Sequence, residues 1–161
     1  MSTEPVVIGI GNRLRGDDGV GPAVARRVAD HGTTADVVVC ADPTALLDVW
    51  TGRRLAVVVD AADDGRSAGS VSTVDPAALG AAGMVGPAGS HGWGLAEAVA
   101  LGQALDRMPE RLVVVTVSLG QVPALVGTRD LSPAVATAVD GAASTVLAAL
   151  AAVSVEPTHP H

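Results

Sequence analysis

Leu55-Ala56-Val57-Val58-Val59-Asp60 is a run of five apolar residues closed by a carboxylate. A strand reads this way, without polar alternation, when helices cover both faces of a parallel sheet, so residues 54–59 are assigned as a central strand. Strand-like and helix-like segments alternate on either side of it. Residues 6–10 (VVIGI) and 36–39 (DVVV) are further short strands, followed by helical patterns at about 18–31 and 44–50. Residues 69–74 alternate like a strand nearer an edge, residues 80–89 are a Gly/Pro-rich loop, and residues 92–105 are helical. A last β-branched run spans 112–117, and Ser132-Pro133 opens the final helix as N-cap and first-turn proline, carrying it to about residue 152. Five strands and four or five helices in this order predict the α/β class. The expected form is a three-layer α/β/α domain on a mostly parallel five-stranded sheet, with ligands outside the carboxyl ends of the strands.

The chain has 161 residues, enough for one domain with a sizeable core. Residues 1–153 are expected to form it, with 154–161 as a disordered tail. The hydrophobic fraction is 48% and is carried by Ala, Val and Leu, with two Trp and neither Phe nor Tyr, so the core should be aliphatic. A net charge of −7 with scattered arginines argues against nucleic-acid binding, which requires neutralisation of phosphates. No apolar run reaches the roughly 18–20 uninterrupted residues of a membrane span, and Met1-Ser2-Thr3-Glu4-Pro5 lacks a basic region followed by an apolar one. A soluble, cytoplasmic protein without a membrane partner is expected, and its oligomeric state is left open. Cys40 is the sole cysteine, which excludes an internal disulfide and any C-x-x-C motif, and reads as a small buried apolar residue.

Three segments carry the polar residues of interest: GIGNRLRGDDGVG (9–21), VVVDAADDG (57–65) and SHGWGL (90–95). The glycines of the first invite a phosphate-binding reading, but the third expected glycine falls at Leu14, and Asp17 and Asp18 repel a pyrophosphate. Acidic residues also favour helix starts for their own sake, and for Asp17 that explanation is preferred. Asp60 is different: a carboxylate at the end of a buried strand needs a cation or hydrogen-bond donors. His91, between Ser90 and Gly92, either begins a helix or serves as a ligand. Asp18, Asp60 and His91 together supply two carboxylates and an imidazole, a donor set suited to a divalent transition metal. Three such ligands leave positions open to water or substrate, as metal-dependent hydrolysis requires. No G-x-S-x-G or H-E-x-x-H motif is present.

These segments, with the late LSPAVATAV (131–139), resemble the hydrogenase maturation protease family over most of the chain. The resemblance implies a five-stranded α/β/α fold. It also implies an endopeptidase that removes the C-terminal extension of a nickel-iron hydrogenase large-subunit precursor after nickel insertion. The family's metal-binding and catalytic roles fall on Asp18, Asp60 and His91, the nickel being supplied in the precursor, which is the implied partner. One departure stands out. Many members carry an Asp-Gly-Gly-Thr-like segment after the second strand, where this chain reads Cys40-Ala41-Asp42-Pro43-Thr44. Proline fixes φ and lacks an N–H, so this loop presents different backbone donors from a double glycine. The alternative to a protease is a metal-binding accessory protein that docks a metalloenzyme precursor without cutting it.

Overall fold

The structure is a computed structural model, described for residues 2–12, 16–81, 92–120 and 130–155. Strand β1 (Val6–Ile10) leads through a 3-10 turn (Gly16–Gly19) into α1 (Val20–Asp30) and β2 (Asp36–Cys40). A second 3-10 turn (Pro43–Ala45) and the short α2 (Leu46–Trp50) precede β3 (Ala56–Ala62). Then follow β4 (Val71–Val74), α3 (Pro76–Ala81), α4 (Gly92–Ala104), β5 (Leu112–Ser118) and α5 (Pro133–Val155). The sheet order is β2-β1-β3-β5-β4, with β4 alone antiparallel, beside β5. The expected α/β architecture with a mostly parallel five-stranded sheet is therefore observed.

Side-chain alternation sorts the core into two layers. Val7, Val57, Val59, Val115 and Val117 point to the face covered by α1 and α5, where Val20, Val24, Val28, Val135, Val139 and Val146 meet them. Val6, Ile8, Ile10, Ala56, Val58 and Val114 point to the opposite face and pack with Leu46, Trp50, Leu95 and Val99 of α2 and α4. By length and composition, helix α5 is long and apolar enough to cross a membrane. In the fold, one side of it is committed to the first layer, through Val135, Val139, Ala142, Ala143 and Val146, all buried.

Beyond shifts of one or two residues at other element ends, the structure departs from the sequence reading in four places. Strand β3 continues past Val59 to Ala62, because β5 pairs with it along its whole length, Asp60 opposite Thr116 and Ala62 opposite Ser118. Asp60 thus lies within the strand rather than after it. Residues 69 and 70 form the approach to β4 instead of its start, Gly69 having φ +85°. Residues 76–81 are helical where no element was expected and a loop was assigned from 80; Asp75 Oδ1 accepts from the Ala77 N–H at 2.9 Å and Pro76 opens the helix, the usual start signal. Finally, α5 runs through Ser154 and Val155, two residues into the assigned tail. The rest of the 80–89 loop, from 82 on, and residues 156–161 lie outside the described residues.

Helix α1 starts unusually close to the sheet. A Cβ on Gly21 would lie 2.3 Å from the Ile10 carbonyl oxygen and 2.7 Å from that of Val59, and one on Gly9 would lie 2.5 Å from the Gly21 carbonyl oxygen. These are backbone atoms of core elements, so the two glycines are what allows the helix to cross the carboxyl ends of β1 and β3.

Candidate active site

The chain leaves β1 through Gly11, whose φ of +142° turns it sharply; a Cβ there would fall 2.0 Å from the Asp18 carbonyl oxygen. It returns as the 3-10 turn Gly16–Gly19, and the Asp18 carboxylate accepts a hydrogen bond from the Asn12 N–H at 3.1 Å. Asp18 is 8% exposed. The Asn12 N–H, a loop donor of the kind a phosphate takes, is thereby engaged within the protein, which disfavours the nucleotide-binding reading. Asp17 does not cap the helix that follows it: no side chain caps α1, and the Asp17 carboxylate instead accepts from the Ser132 N–H at 2.6 Å.

Asp60 is 4% exposed, and its Oδ1 accepts from the N–H of Ala61 at 2.8 Å. It shares the strand parity of Ala56 and Val58, whose side chains lie in the layer packed by α2 and α4. Strands β1 and β3 are direct parallel neighbours in register Gly9 to Val59. Because α1 crosses both strand ends at Gly21, three residues after Asp18 and beside the residue preceding Asp60, the fold brings the backbone segments that carry the two buried acids to one corner of the sheet. His91, the third expected member, lies outside the described residues; in sequence it immediately precedes α4, a helix of the layer that Asp60 faces by parity. Among the described residues no group of three or more His, Cys, Asp or Glu side chains forms a metal cluster.

The divergent loop after β2 borders this corner, with Cys40 O accepting from the Gly11 N–H at 3.1 Å. Asp42 caps the 3-10 turn Pro43–Ala45 by accepting from the Thr44 N–H at 2.9 Å, and that bond holds its carboxyl below the usual range. Pro43 also has a packing role: a Cβ on Gly94 of α4 would lie 2.1 Å from its Cγ, so the divergent loop and the third sequence segment meet ring against glycine. Cys40 is buried, and burial together with the Asp42 charge pushes its thiol up. Less thiolate is then present at neutral pH, as the reading of Cys40 as an inert core residue requires. Iodoacetamide should alkylate Cys40 in the native protein at pH 8 at least about tenfold more slowly than in denaturant. Equal rates by mass spectrometry would place Cys40 outside the core.

On the other side of Asp60, the loop after β3 is held by Ser118, 1% exposed, whose hydroxyl donates to Asp64 Oδ1 at 2.7 Å. Asp64 Oδ1 also accepts from the Arg66 N–H at 3.1 Å, and the Arg66 guanidinium donates to the Ser72 hydroxyl. The expected turn at Asp63-Asp64-Gly65 is thus a structural closure of the rim.

Comparison with known proteins follows the same lines. Residues 26–149 match the family model of the hydrogenase maturation protease HycI. Among solved structures, the hydrogenase maturating endopeptidase HybD from E. coli is 23% identical, with a TM-score of 0.75 over 93% of each chain. The [NiFe] hydrogenase maturation protease HybD from Thermococcus kodakarensis is 21% identical, with a TM-score of 0.70 over 91% of this chain and 99% of that one. HycI from Thermococcus kodakarensis KOD1 is 23% identical, with a TM-score of 0.66 over 92% and 93%. These three likenesses establish the fold. No curated protein matches.

Proposed function

This chain belongs to the hydrogenase maturation protease family, which makes it a peptidase, and we propose that it cuts the C-terminal extension from a nickel-iron hydrogenase large-subunit precursor once nickel is in place. The observation that carries the reading is the pair of buried carboxylates, Asp18 and Asp60, gathered at the carboxyl ends of two adjacent parallel strands. Nickel enters as part of the substrate. Two carboxylates and the His91 imidazole are donors that suit a divalent transition metal.

In this proposal Asp18, Asp60 and His91 complete the coordination of nickel already held by the precursor's own ligands, which docks the scissile bond in the same act. The metal's chemical contribution is that of a Lewis acid near the reacting amide. A water adds to the carbonyl carbon, the C–N bond breaks, and the departing nitrogen takes up a proton, so the reaction is a hydrolysis. Binding through substrate metal makes cleavage conditional on prior nickel insertion. The protein is placed with its precursor, in the cytoplasm, and the Asp42-Pro43-Thr44 loop, beside the same corner, is the segment expected to contact the precursor differently from members with a double glycine.

The test is the intact mass of the host's hydrogenase large subunit in a deletion strain complemented with wild type or His91→Ala. The subunit should keep its extension in the deletion strain, lose it with wild type and keep it with His91→Ala. Full processing in the deletion strain, or with His91→Ala, would overturn the reading. A purified nickel-loaded precursor that binds the wild-type protein and stays uncut would identify the non-cleaving accessory role instead.

A further inference from the structure

The two consecutive acids of the first segment point in different directions. Asp18 reaches back to the Asn12 N–H at the end of β1, whereas Asp17 reaches across to the Ser132 N–H, 115 residues away. Ser132 is the residue before α5, and its carbonyl accepts the first helical bond, from the Ala136 N–H at 2.8 Å. At such a position the N–H is commonly satisfied by a Glu or Gln three residues on, in a capping box. Here that position is Val135, which is buried in the core and offers no acceptor. Asp17 supplies the missing acceptor from another part of the chain. Its negative charge also sits at the positive end of a 23-residue helix.

We propose that Asp17 is a positioning residue for Asp18: its bond to Ser132 fastens the Gly16–Gly19 turn to the start of α5, and α5 holds the turn in register with the sheet. The inference rests on the reading above that Asp18 acts in cleavage. The start of α5 is a suitable anchor because the helix is packed along α1 and the sheet through Val135, Val139, Ala142 and Val146. The loop after β3 leans on the same first turn, since a Cβ on Gly69 would lie 2.5 Å from the Ala134 carbonyl oxygen. The loops following β1 and β3, one carrying Asp18 and the other adjoining Asp60's strand, thus share one support. Asn12 and Ser132 clamp the turn from its two sides, and only the second clamp depends on Asp17.

The test compares Asp17→Ala, Asp17→Asn and wild type in full-length protein, by cleavage kinetics on nickel-loaded precursor and by amide hydrogen exchange. Asn accepts a hydrogen bond at a helix start about as well as Asp, so it isolates the bond from the charge. For Asp17→Ala, kcat should fall by about tenfold or more with KM within about twofold, because a displacement of order 1 Å in a reacting group costs that much or more. Asp17→Asn should recover most of the rate. Exchange at Asn12 and Asp18 should quicken in Asp17→Ala while the middle of α5 keeps its protection. Wild-type kcat in Asp17→Ala, or a loss in Asp17→Asn equal to that in Asp17→Ala with Ser132 still protected, would overturn the proposal. If wild type does not cut the precursor, the functional reading fails by itself; unchanged exchange at Asn12 and Asp18 in Asp17→Ala would then refute the clamp, and quickened exchange would sustain it.

Discussion

Asp60→Asn is expected to leave the protein folded and the hydrogenase precursor essentially uncut. The amide keeps the size of the side chain and an oxygen able to accept from the Ala61 N–H, so the local bond at 2.8 Å survives. What it removes is a negative charge that is 4% exposed and beside the corner occupied by Asp18. A neutral amide is a poorer partner for a divalent cation, and the loss is felt in positioning and in electrostatic stabilisation together. The rate of extension removal should drop by roughly a hundred- to a thousandfold, the scale of losses when one preorganised electrostatic partner of the reacting group is removed. Single-turnover cleavage followed by intact mass, alongside a thermal melt, checks it. Cleavage within about tenfold of wild type would remove Asp60 from the active set and leave its burial to be explained by the sheet alone.

The second large effect concerns stability. Trp50, at the end of α2, is 0% exposed, packs with Leu46, Leu95 and Val99 in the second layer, and donates its Nε1 hydrogen to the Arg107 carbonyl at 2.9 Å. Trp50→Ala should cost about 3–5 kcal/mol, the range for deleting a buried aromatic, because the lost transfer energy is joined by the cavity left behind. In a domain of this size each kcal/mol lowers Tm by roughly 2–4 °C, so the shift is readily measured. Urea denaturation should show a lower midpoint with an unchanged slope. A cost below about 1 kcal/mol would mean that α2 collapses into the space, and that the second layer is less tightly packed than the first. Since α2 follows the Asp42-Pro43-Thr44 turn directly, cleavage should weaken at temperatures where the variant is still folded.

Local chemistry made much of the fold legible. The unbroken Leu55–Val59 run announced a strand covered on both faces, and burial of Val57, Val58 and Val59 at 0% exposure bears it out. Ser132-Pro133 marked the start of α5, because proline at the first helical position needs no hydrogen bond there. The same signal stands at Asp75-Pro76, where it opens α3, a helix too short to show an apolar period of its own. Asp17 does lie in the first turn of the helix beside it, as acidic residues there usually do, but its carboxylate accepts from the start of a distant helix, which no local pattern signals.

The order and type of every element except α3, and the candidate acids, were readable locally, because hydrophobic period, proline geometry and acidic residues after apolar runs are properties of a few adjacent residues. That β4 runs antiparallel to β5, that β3 extends through Asp60, and that the segments carrying Asp18 and Asp60 lie at the carboxyl ends of adjacent strands came from the three-dimensional fold. Each of those depends on pairing between segments far apart in the chain. Strand β3 is carried past Asp60 by the hydrogen bonds of β5, some fifty residues later, and the turn bearing Asp18 rests on an N–H 115 residues beyond Asp17. Such contacts leave no local period in the sequence, so packing alone assigns them.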